Sequence, residues 1–297
     1  MAAKPFIKWV GGKTQLLSEL RHHYPNTFTK YCEPFVGGGA VLFDVLQQPN
    51  PPHEILINDI NSELINLYQN IKNTPDNLIN RLYELQEEYQ ITVPEARKEL
   101  YLAKRASYNQ FILENVRDKN LEKAALFIYL NKTCFNGLYR VNKKGLFNVP
   151  FNNATNPLLC DENNIRECSR LLQNVQMHVG DYSYCREFID KNTFVYIDPP
   201  YRPLTATSSF TSYSENEFSD TQQIQLGNFV TEMANKGAHI VVSNSDPRNA
   251  NTEDNFFDNL YANFHIERVH ASRMVNSNAR KRGPINELII SNIVSIF

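Results

Sequence analysis

Four consecutive residues near position 200 have the clearest chemical content in the sequence: Asp198-Pro199-Pro200-Tyr201. They follow the apolar run "FVYI" (194–197), which is typical of a buried strand. Open α/β sheets bind ligands at the carboxyl ends of such strands. Because the prolines lack N–H groups, the backbone offers carbonyl acceptors beside the carboxylate, and the tyrosine adds an aromatic face. Acceptors next to a stacking surface suit a flat group that carries an NH2.

A glycine-rich loop is the second candidate site. The stretch "CEPFVGGGAV" (32–41) is predicted to leave a strand and enter a helix, and its glycines let the backbone approach a ligand closely. Asp59 follows twenty residues after the last glycine, where doubly wound folds hold a ribose hydroxyl. Leu42 replaces the third glycine of the dinucleotide fingerprint. The loop therefore favours a nucleoside ligand without a required pyrophosphate, and a plain glycine turn with a helix-capping Asp is the alternative.

The third candidate, "WVGGKTQLL" (9–17), ends like a phosphate-binding loop. The complete motif needs a glycine at position 7, where this chain has Ile7. The segment therefore indicates either a turn before a helix at 14–24 or a site for a different ligand.

Composition limits the class of protein. The 297 residues are 42% hydrophobic and 21% charged with a net charge of −2, which suits one large or two modest globular domains. Two acid-free stretches, 123–160 and 268–284, each carry five Lys or Arg residues and predict one positive face. Five cysteines without a C-x-x-C pair favour reduced thiols in the cytoplasm and argue against a zinc site. No apolar run is long enough to span a membrane, and the N-terminus has no signal-peptide core.

The order of the predicted elements indicates the fold class. Short apolar runs predict strands at 30–36, 54–59, 175–181, 194–200, 238–245, 264–271 and 286–293, and helices are predicted at 40–48, 61–72, 219–236 and 252–261. This alternation predicts an α/β fold with a mostly parallel sheet covered on both faces. Residues 63–172 have a helical period and end in a segment rich in Asn, Gly and Lys that we expect to be a loop or short hairpin. We therefore predict an α/β domain of residues 1–62 and 173–297 with a helical insertion.

Taken in order, "KWVGGK", "EPFVGGG", "IND" and "DPPY" resemble the Dam-type (alpha-group, D12 class) DNA adenine-N6 methyltransferases, and the pattern is similar to that of GATC-reading members. The segments "NGLYRVNKKGLFNVPF" and "VVSNSD" extend the resemblance to residues 5–292. It implies a Rossmann-like, mostly parallel seven-stranded sheet, S-adenosylmethionine as cofactor and double-stranded DNA as partner, with no metal and no membrane. It also implies that the insertion is a helical target-recognition domain.

The resemblance implies three sets of site residues. The cofactor would be bound by Trp9, Lys13, Phe35, Gly37, Gly39, Asp59, Asp181, Tyr182 and Asp198; catalysis would use Asp198, Pro199 and Tyr201; and DNA would be contacted by Lys8, Phe135, Asn136, Leu138, Arg140 and Pro150. Lys13 would bind the carboxylate of the cofactor's methionine part, and Asp59 the ribose. Asp198 and the Pro199 carbonyl would accept hydrogen bonds from the target N6 amine. Arg140 would pair with a guanine.

Three alternatives differ in chemistry. A nicotinamide-dependent oxidoreductase would need the missing third glycine and leaves residues 198–201 without a role. Methyl transfer to RNA or to a protein amide keeps the same chemistry, but glutamine-modifying relatives have Asn where Asp198 stands, which argues against the amide. A module that binds DNA without turnover would not need the complete acceptor set. The sequence leaves open whether the protein acts alone, in regulation or mismatch repair, or beside a cognate restriction endonuclease.

Overall fold

The computed structural model describes residues 2–115, 120–202, 218–272 and 284–292, and residues 273–283 of the predicted acid-free stretch 268–284 lie outside these ranges. The described strands are β1 (Lys30–Glu33), β2 (Glu54–Asp59), β3 (Val175–Val179), β4 (Thr193–Ile197), β5 (His239–Ser245), β6 (His265–Ser272) and β7 (Pro284–Ser291). The described α-helices are α1 (Leu17–Arg21), α2 (Ala40–Leu46), α3 (Ser62–Asn73), α4 (Pro75–Ile91), α5 (Arg97–Leu113), α6 (Leu121–Thr133), α7 (Glu162–Leu172), α8 (Asp220–Asn235) and α9 (Phe256–Leu260).

The strands form a seven-stranded sheet in the order β3-β2-β1-β4-β5-β7-β6. β1 is parallel to β2 and β4, and β4 is parallel to β5, whereas β7 is antiparallel to both β5 and β6. The predicted α/β fold with a mostly parallel sheet is confirmed. The strand order reverses between β1 and β4, and the crevice at such a reversal is where open α/β sheets bind ligands.

The contacts between Cα atoms divide the chain into two compact units. Unit 1 comprises Met1–Gly12, Gly37–Gln48 and Asn61–Val179, and unit 2 comprises Lys13–Val36, Pro49–Ile60 and Gly180–Phe297. Helices α2 to α7 belong to unit 1, and β1, β2 and β4 to β7 belong to unit 2. The assignment of a catalytic and a target-recognition domain stays a prediction.

In unit 2, apolar side chains of the sheet and of α8 form one buried cluster. It includes Val195 and Ile197 of β4, Val230 and Met233 of α8, and Leu288 of β7. Burial of each such side chain contributes about 1.5–3 kcal/mol. All five residues of β4 are buried, so the strand that leads into Asp198 is held firmly in place.

In unit 1, α6 is the central helix. Its residues from Lys123 to Asn131 are all buried, as expected for a helix that is apolar on every side. The chain after α6 forms a short turn at Phe135–Gly137 and a loop with two isolated antiparallel bridges, Cys134 to Phe151 and Val141 to Phe147. The predicted loop or short hairpin is therefore confirmed.

The predicted positive face over 123–160 needs one correction. Lys123 is only 1% exposed, and its ammonium lies 2.8 Å from the Glu63 carboxylate. A buried charge must be paired, so this lysine serves the interior of unit 1 instead of a phosphate-binding surface. Arg140, Lys143 and Lys144 are exposed, as that prediction requires.

Candidate active site

Asp198 is the first residue after β4, and its carboxylate is paired with a buried lysine. Lys13 Nζ lies 2.7 Å from Asp198 Oδ2, and the Lys13 residue is only 3% exposed. Burial raises the pKa of Asp198 to about 6; Lys13 opposes this shift, and the negative charge of Glu287 adds to it. Asp198 Oδ1 is buried and has no hydrogen-bond partner among the residues that the structure describes. Buried acceptors nearly always receive a hydrogen bond, so this oxygen is a candidate acceptor for a donor group on a ligand.

Tyr201 is held from two sides. Its hydroxyl donates to Glu287 Oε2 on β7 at 2.7 Å, and Lys13 Nζ lies 4.9 Å from the centre of its ring. Burial raises the pKa of Tyr201 well above its ordinary value, and the carboxylates of Asp198 and Glu287 raise it further. The hydroxyl therefore stays protonated and keeps donating to Glu287. The orientation of the ring is set by this bond, as a stacking platform requires.

The backbone between Asp198 and Tyr201 is fixed by a buried amide network. Gln223 of α8 is completely buried, and its Nε2 donates to the Pro200 carbonyl at 3.0 Å. Its Oε1 accepts from Asn244 Nδ2 of β5 at 3.3 Å. Sequence reasoning missed Gln223 and Glu287, because neither lies in a motif; Asn244 lies within the quoted "VVSNSD" but was given no role.

Four predicted cofactor residues lie in unit 2: Phe35 after β1, Asp59 at the end of β2, and Asp181 and Tyr182 directly after Gly180. The rings of Phe35 and Tyr182 are 5.5 Å apart. The Asp59 backbone carbonyl accepts from Gly180 N at 3.1 Å, and the exposed Asp181 carboxylate accepts from Ser183 N at 2.9 Å.

Asn58 joins the loops that carry these residues. Its Nδ2 donates to the Pro34 carbonyl and to the Gly180 carbonyl, both at 2.9 Å. The structure thus brings Phe35, Asp59 and Asp181 into one neighbourhood through a buried amide. The segment "IND" was singled out in the sequence, but the role of its asparagine was not.

The glycine loop and Trp9 lie together in unit 1. A Cβ at Gly37 would lie 2.8 Å from Trp9 Cδ1, and the Gly37 carbonyl accepts from the Tyr68 hydroxyl at 3.1 Å. Gly39 has a φ of 71°, and a Cβ there would overlap the Tyr68 hydroxyl. Only glycine fits at these positions, so the loop has a bare backbone beside the indole.

The predicted DNA-contacting residues are grouped around the loop after α6. Phe135 is 50% exposed, Asn136, Arg140 and Pro150 are exposed, and Leu138 is half-buried. Arg140 donates through Nε to Asn148 Oδ1 at 2.7 Å and through Nη2 to the Asn148 carbonyl at 3.1 Å. The guanidinium is thus held at the surface in a defined orientation.

Lys8, although distant in sequence, is joined to this loop. Asn131 of α6 accepts from Lys8 N at 2.9 Å and donates to the Lys8 carbonyl at 2.8 Å and to the Gly137 carbonyl at 2.9 Å. A Cβ at Gly137 would lie 2.7 Å from Lys8 Cδ, so the lysine stem runs across this glycine. Sequence reasoning named Lys8 but missed Asn131, which carries no motif signal.

Within the described ranges, no group of three or more His, Cys, Asp or Glu side chains is placed to hold a metal ion. No helix in the part of the chain that the structure describes is both long and apolar enough to cross a membrane. All five cysteines are free and buried.

Comparison with known proteins identifies related chains over nearly the full length. Residues 9–275 match the family described as D12 class N6 adenine-specific DNA methyltransferase. The type II methyltransferase M.MjaIII of Methanocaldococcus jannaschii is 44% identical, with 98% of this chain and 100% of that protein covered. The type II methyltransferase M1.LlaDCHI of Lactococcus lactis subsp. cremoris is 36% identical, with coverages of 97% and 95%. The DNA adenine methylase of Haemophilus influenzae is 32% identical, with coverages of 96% and 92%.

Proposed function

Because the chain belongs to the D12 class of N6 adenine-specific DNA methyltransferases, we propose that it moves a methyl group from S-adenosylmethionine to N6 of a flipped adenine in duplex DNA, within the sequence GATC. The observation that carries this proposal is the buried Oδ1 of Asp198, which has no hydrogen-bond partner among the described residues, beside the fixed ring of Tyr201. An adenine N6 amine supplies the missing donor, and the adenine ring suits the tyrosine face.

The acceptors would act on the target nitrogen directly. The N6 lone pair is delocalised into the adenine ring, so the amine is a poor nucleophile. Hydrogen bonds from N6–H to Asp198 Oδ1 and to the Pro199 carbonyl favour a more tetrahedral nitrogen and direct its lone pair. Fixing the nitrogen in line with the methyl group supplies much of the remaining rate, since such positioning is worth roughly 7–11 kcal/mol. The cofactor, when bound, supplies an already electrophilic methyl group.

The residues present suit that cofactor. The Lys13 ammonium would bind the methionine carboxylate in a charge-assisted contact. Phe35 and Tyr182 would pack against the adenine part, and Asp59 would accept from the ribose hydroxyls. The Gly37–Gly39 loop, whose conformation excludes a Cβ at two positions, gives the close backbone approach that the ligand needs.

The DNA contacts would come from unit 1. Arg140 would donate bidentately to guanine N7 and O6, with Leu138 and Pro150 against base edges. Lys8 would approach an outer base pair. Phe135, half exposed in the short turn after α6, would fill the gap that the flipped adenine leaves.

The target sequence and the biological setting are separate proposals. Relatives named DNA adenine methylase and relatives named type II methyltransferase both match this chain, so their names do not choose its target sequence. The GATC assignment therefore rests on the resemblance of residues 135–150. The type II names favour a restriction-modification system with a cognate endonuclease as partner. A solitary role in replication or mismatch repair is the alternative.

Methylation of a plasmid that lacks N6-methyladenine tests the proposal. Labelled S-adenosylmethionine gives the extent of transfer, and sequencing gives the modified positions. Asp198→Ala should abolish transfer, whereas Asp76→Ala, at an exposed carboxylate of α4, should retain it. Methylation of adenine outside GATC contradicts the target assignment but keeps the chemistry. Absence of label in DNA at low salt contradicts the function itself.

A further inference from the structure

Trp9, the only tryptophan of the chain, contacts two segments that the proposed function separates. On one side are the cofactor-loop glycines, since a Cβ at Gly37 would lie 2.8 Å from Cδ1 and 3.0 Å from Nε1 of the indole. The indole also stacks on Tyr139, with ring centres 5.7 Å apart and planes 26° apart. Tyr139 lies between Leu138 and Arg140, two of the residues proposed to contact bases. A single indole therefore touches both the cofactor loop and the DNA-reading segment.

Tyr139 is embedded in a wider aromatic group. Its ring centre is 5.2 Å from that of Phe127 on α6 and 5.9 Å from that of Phe147 on the returning arm of the loop. Burial raises the pKa of Tyr139 to about 12, so its hydroxyl is neutral at any working pH. Tyr139 and Leu138 are both half-buried, whereas Arg140 is exposed. Packed rings of this kind transmit displacements because interiors are dense and resist compression.

The backbone reinforces this connection. Asn131 binds both the N–H and the carbonyl of Lys8, the residue before Trp9, and also the Gly137 carbonyl two residues before Tyr139. The segment that carries Trp9 and the segment that carries Tyr139 are therefore joined by the hydrogen bonds of Asn131 and by the stacking of the two rings. These contacts give a displacement of Trp9 on the glycine loop a direct route to Tyr139.

We propose that Tyr139 is a positioning residue that couples occupation of the Gly37–Gly39 loop to DNA reading through its stack on Trp9. The proposal rests on the proposed function, in which that loop lines the cofactor site and Leu138 and Arg140 contact bases. Binding of a cofactor product such as S-adenosylhomocysteine then tightens binding of target DNA. By linkage, DNA tightens binding of the product by the same factor.

The coupling is measured on the full-length protein with two signals. Fluorescence of Trp9 reports binding of S-adenosylhomocysteine, and anisotropy of a labelled duplex with one GATC reports binding of DNA. The ratio of DNA dissociation constants without and with S-adenosylhomocysteine is the coupling factor, and sites coupled in this way typically show about 5- to 150-fold. Tyr139→Leu should bring the factor close to one, and Tyr139→Phe, which keeps the ring, should preserve it. Tyr83→Leu, at an exposed tyrosine of α4, is the matched control and should leave it unchanged.

The outcomes separate the coupling from the function. A wild-type factor of one, or a Tyr139→Leu protein with the wild-type factor, overturns the coupling while methylation continues. Equal loss in Tyr139→Phe and Tyr139→Leu also overturns it, because the ring would then not be the relevant group. If Tyr139→Leu has no cooperative thermal transition, Tyr139→Met is measured in its place and judged by the same factor. Failure of the wild type to bind S-adenosylhomocysteine at all, together with absence of methylation, contradicts the proposed function instead.

Discussion

The raised pKa of Asp198 predicts how activity depends on pH. Only the ionised carboxylate has two acceptor oxygens for Lys13 and for an amine, and the pH dependence of kcat/KM reports the ionisation of the free enzyme. With a pKa of about 6, the group is about nine-tenths ionised at pH 7 and about one-tenth ionised at pH 5. An unperturbed aspartate, with a pKa of ~3.9, would stay about nine-tenths ionised at pH 5. We therefore expect kcat/KM to fall about tenfold from pH 7 to pH 5.

Two variants should move the midpoint in opposite directions. Glu287→Gln removes a negative charge that raises the pKa of Asp198, so the midpoint should move to lower pH. Lys13→Gln removes the charge and the hydrogen bond that lower it, so the midpoint should move to higher pH, in addition to any loss of cofactor affinity. The assay is transfer of labelled methyl groups to a GATC duplex at subsaturating DNA between pH 5 and 8.

A histidine is the main rival for an inflection near neutrality. His178 on β3 has a pKa that burial lowers from 6.5, and His178→Gln should leave the profile unchanged. A wild-type profile that is flat from pH 5 to 7 would refute the reasoning. A midpoint that stays fixed in both Glu287→Gln and Lys13→Gln, but moves in His178→Gln, would assign the inflection to the histidine.

Three further substitutions test other parts of the site. Gly39→Ala should lower both the melting temperature and the affinity for S-adenosylhomocysteine. A left-handed backbone alone costs an alanine roughly 1–2 kcal/mol, and the added Cβ would overlap the Tyr68 hydroxyl. Unchanged binding of S-adenosylhomocysteine by calorimetry would contradict this prediction. Gln223→Leu removes the donor to the Pro200 carbonyl and leaves the buried Asn244 amide without its acceptor. The buried unpaired group costs about 1–3 kcal/mol, so kcat should fall with little change in the KM of the cofactor, and an unaltered kcat would count against the amide network. Arg140→Lys should weaken discrimination at one base pair by about 1–3 kcal/mol, visible as methylation of near-cognate sites by sequencing; an unchanged spectrum would remove Arg140 from base reading.

The strands could be predicted because each is a local pattern. The run at 194–197 is apolar throughout, and all five residues of β4 are buried. The position of Asp198 follows at once, since it comes directly after that strand. The glycine loop and the loop after α6 could be predicted equally well, because glycine and asparagine favour turns whatever the rest of the chain does.

Partners that depend on strand order could not be predicted in this way. Glu287 reaches Tyr201 only because β7 inserts between β5 and β6 in antiparallel orientation, with Glu287 opposite Ser245. Gln223 reaches Pro200 because α8 turns one particular face to β4 and β5, and no local signal distinguishes that buried glutamine from its half-buried neighbour Gln222. The positive face predicted from composition was wrong at Lys123 for the same reason. A count of basic residues does not show which of them forms an ion pair in the interior, as Lys123 does with Glu63.

The two oxygens of Asp198 have different environments, and this difference explains how one carboxylate can serve two ligands. Oδ2 accepts from Lys13, whose ammonium has three N–H donors in total, so the same lysine can also donate to a cofactor carboxylate. Oδ1 is buried without a protein partner among the described residues, which leaves it available to accept from the target amine in the proposed reaction. The lysine keeps the carboxylate ionised at neutral pH in spite of its burial, and burial keeps the second oxygen a strong acceptor because water does not compete for it. An asparagine at 198 would present one oxygen and one NH2 group, and therefore could not accept from both Lys13 and the N6 amine through separate oxygens.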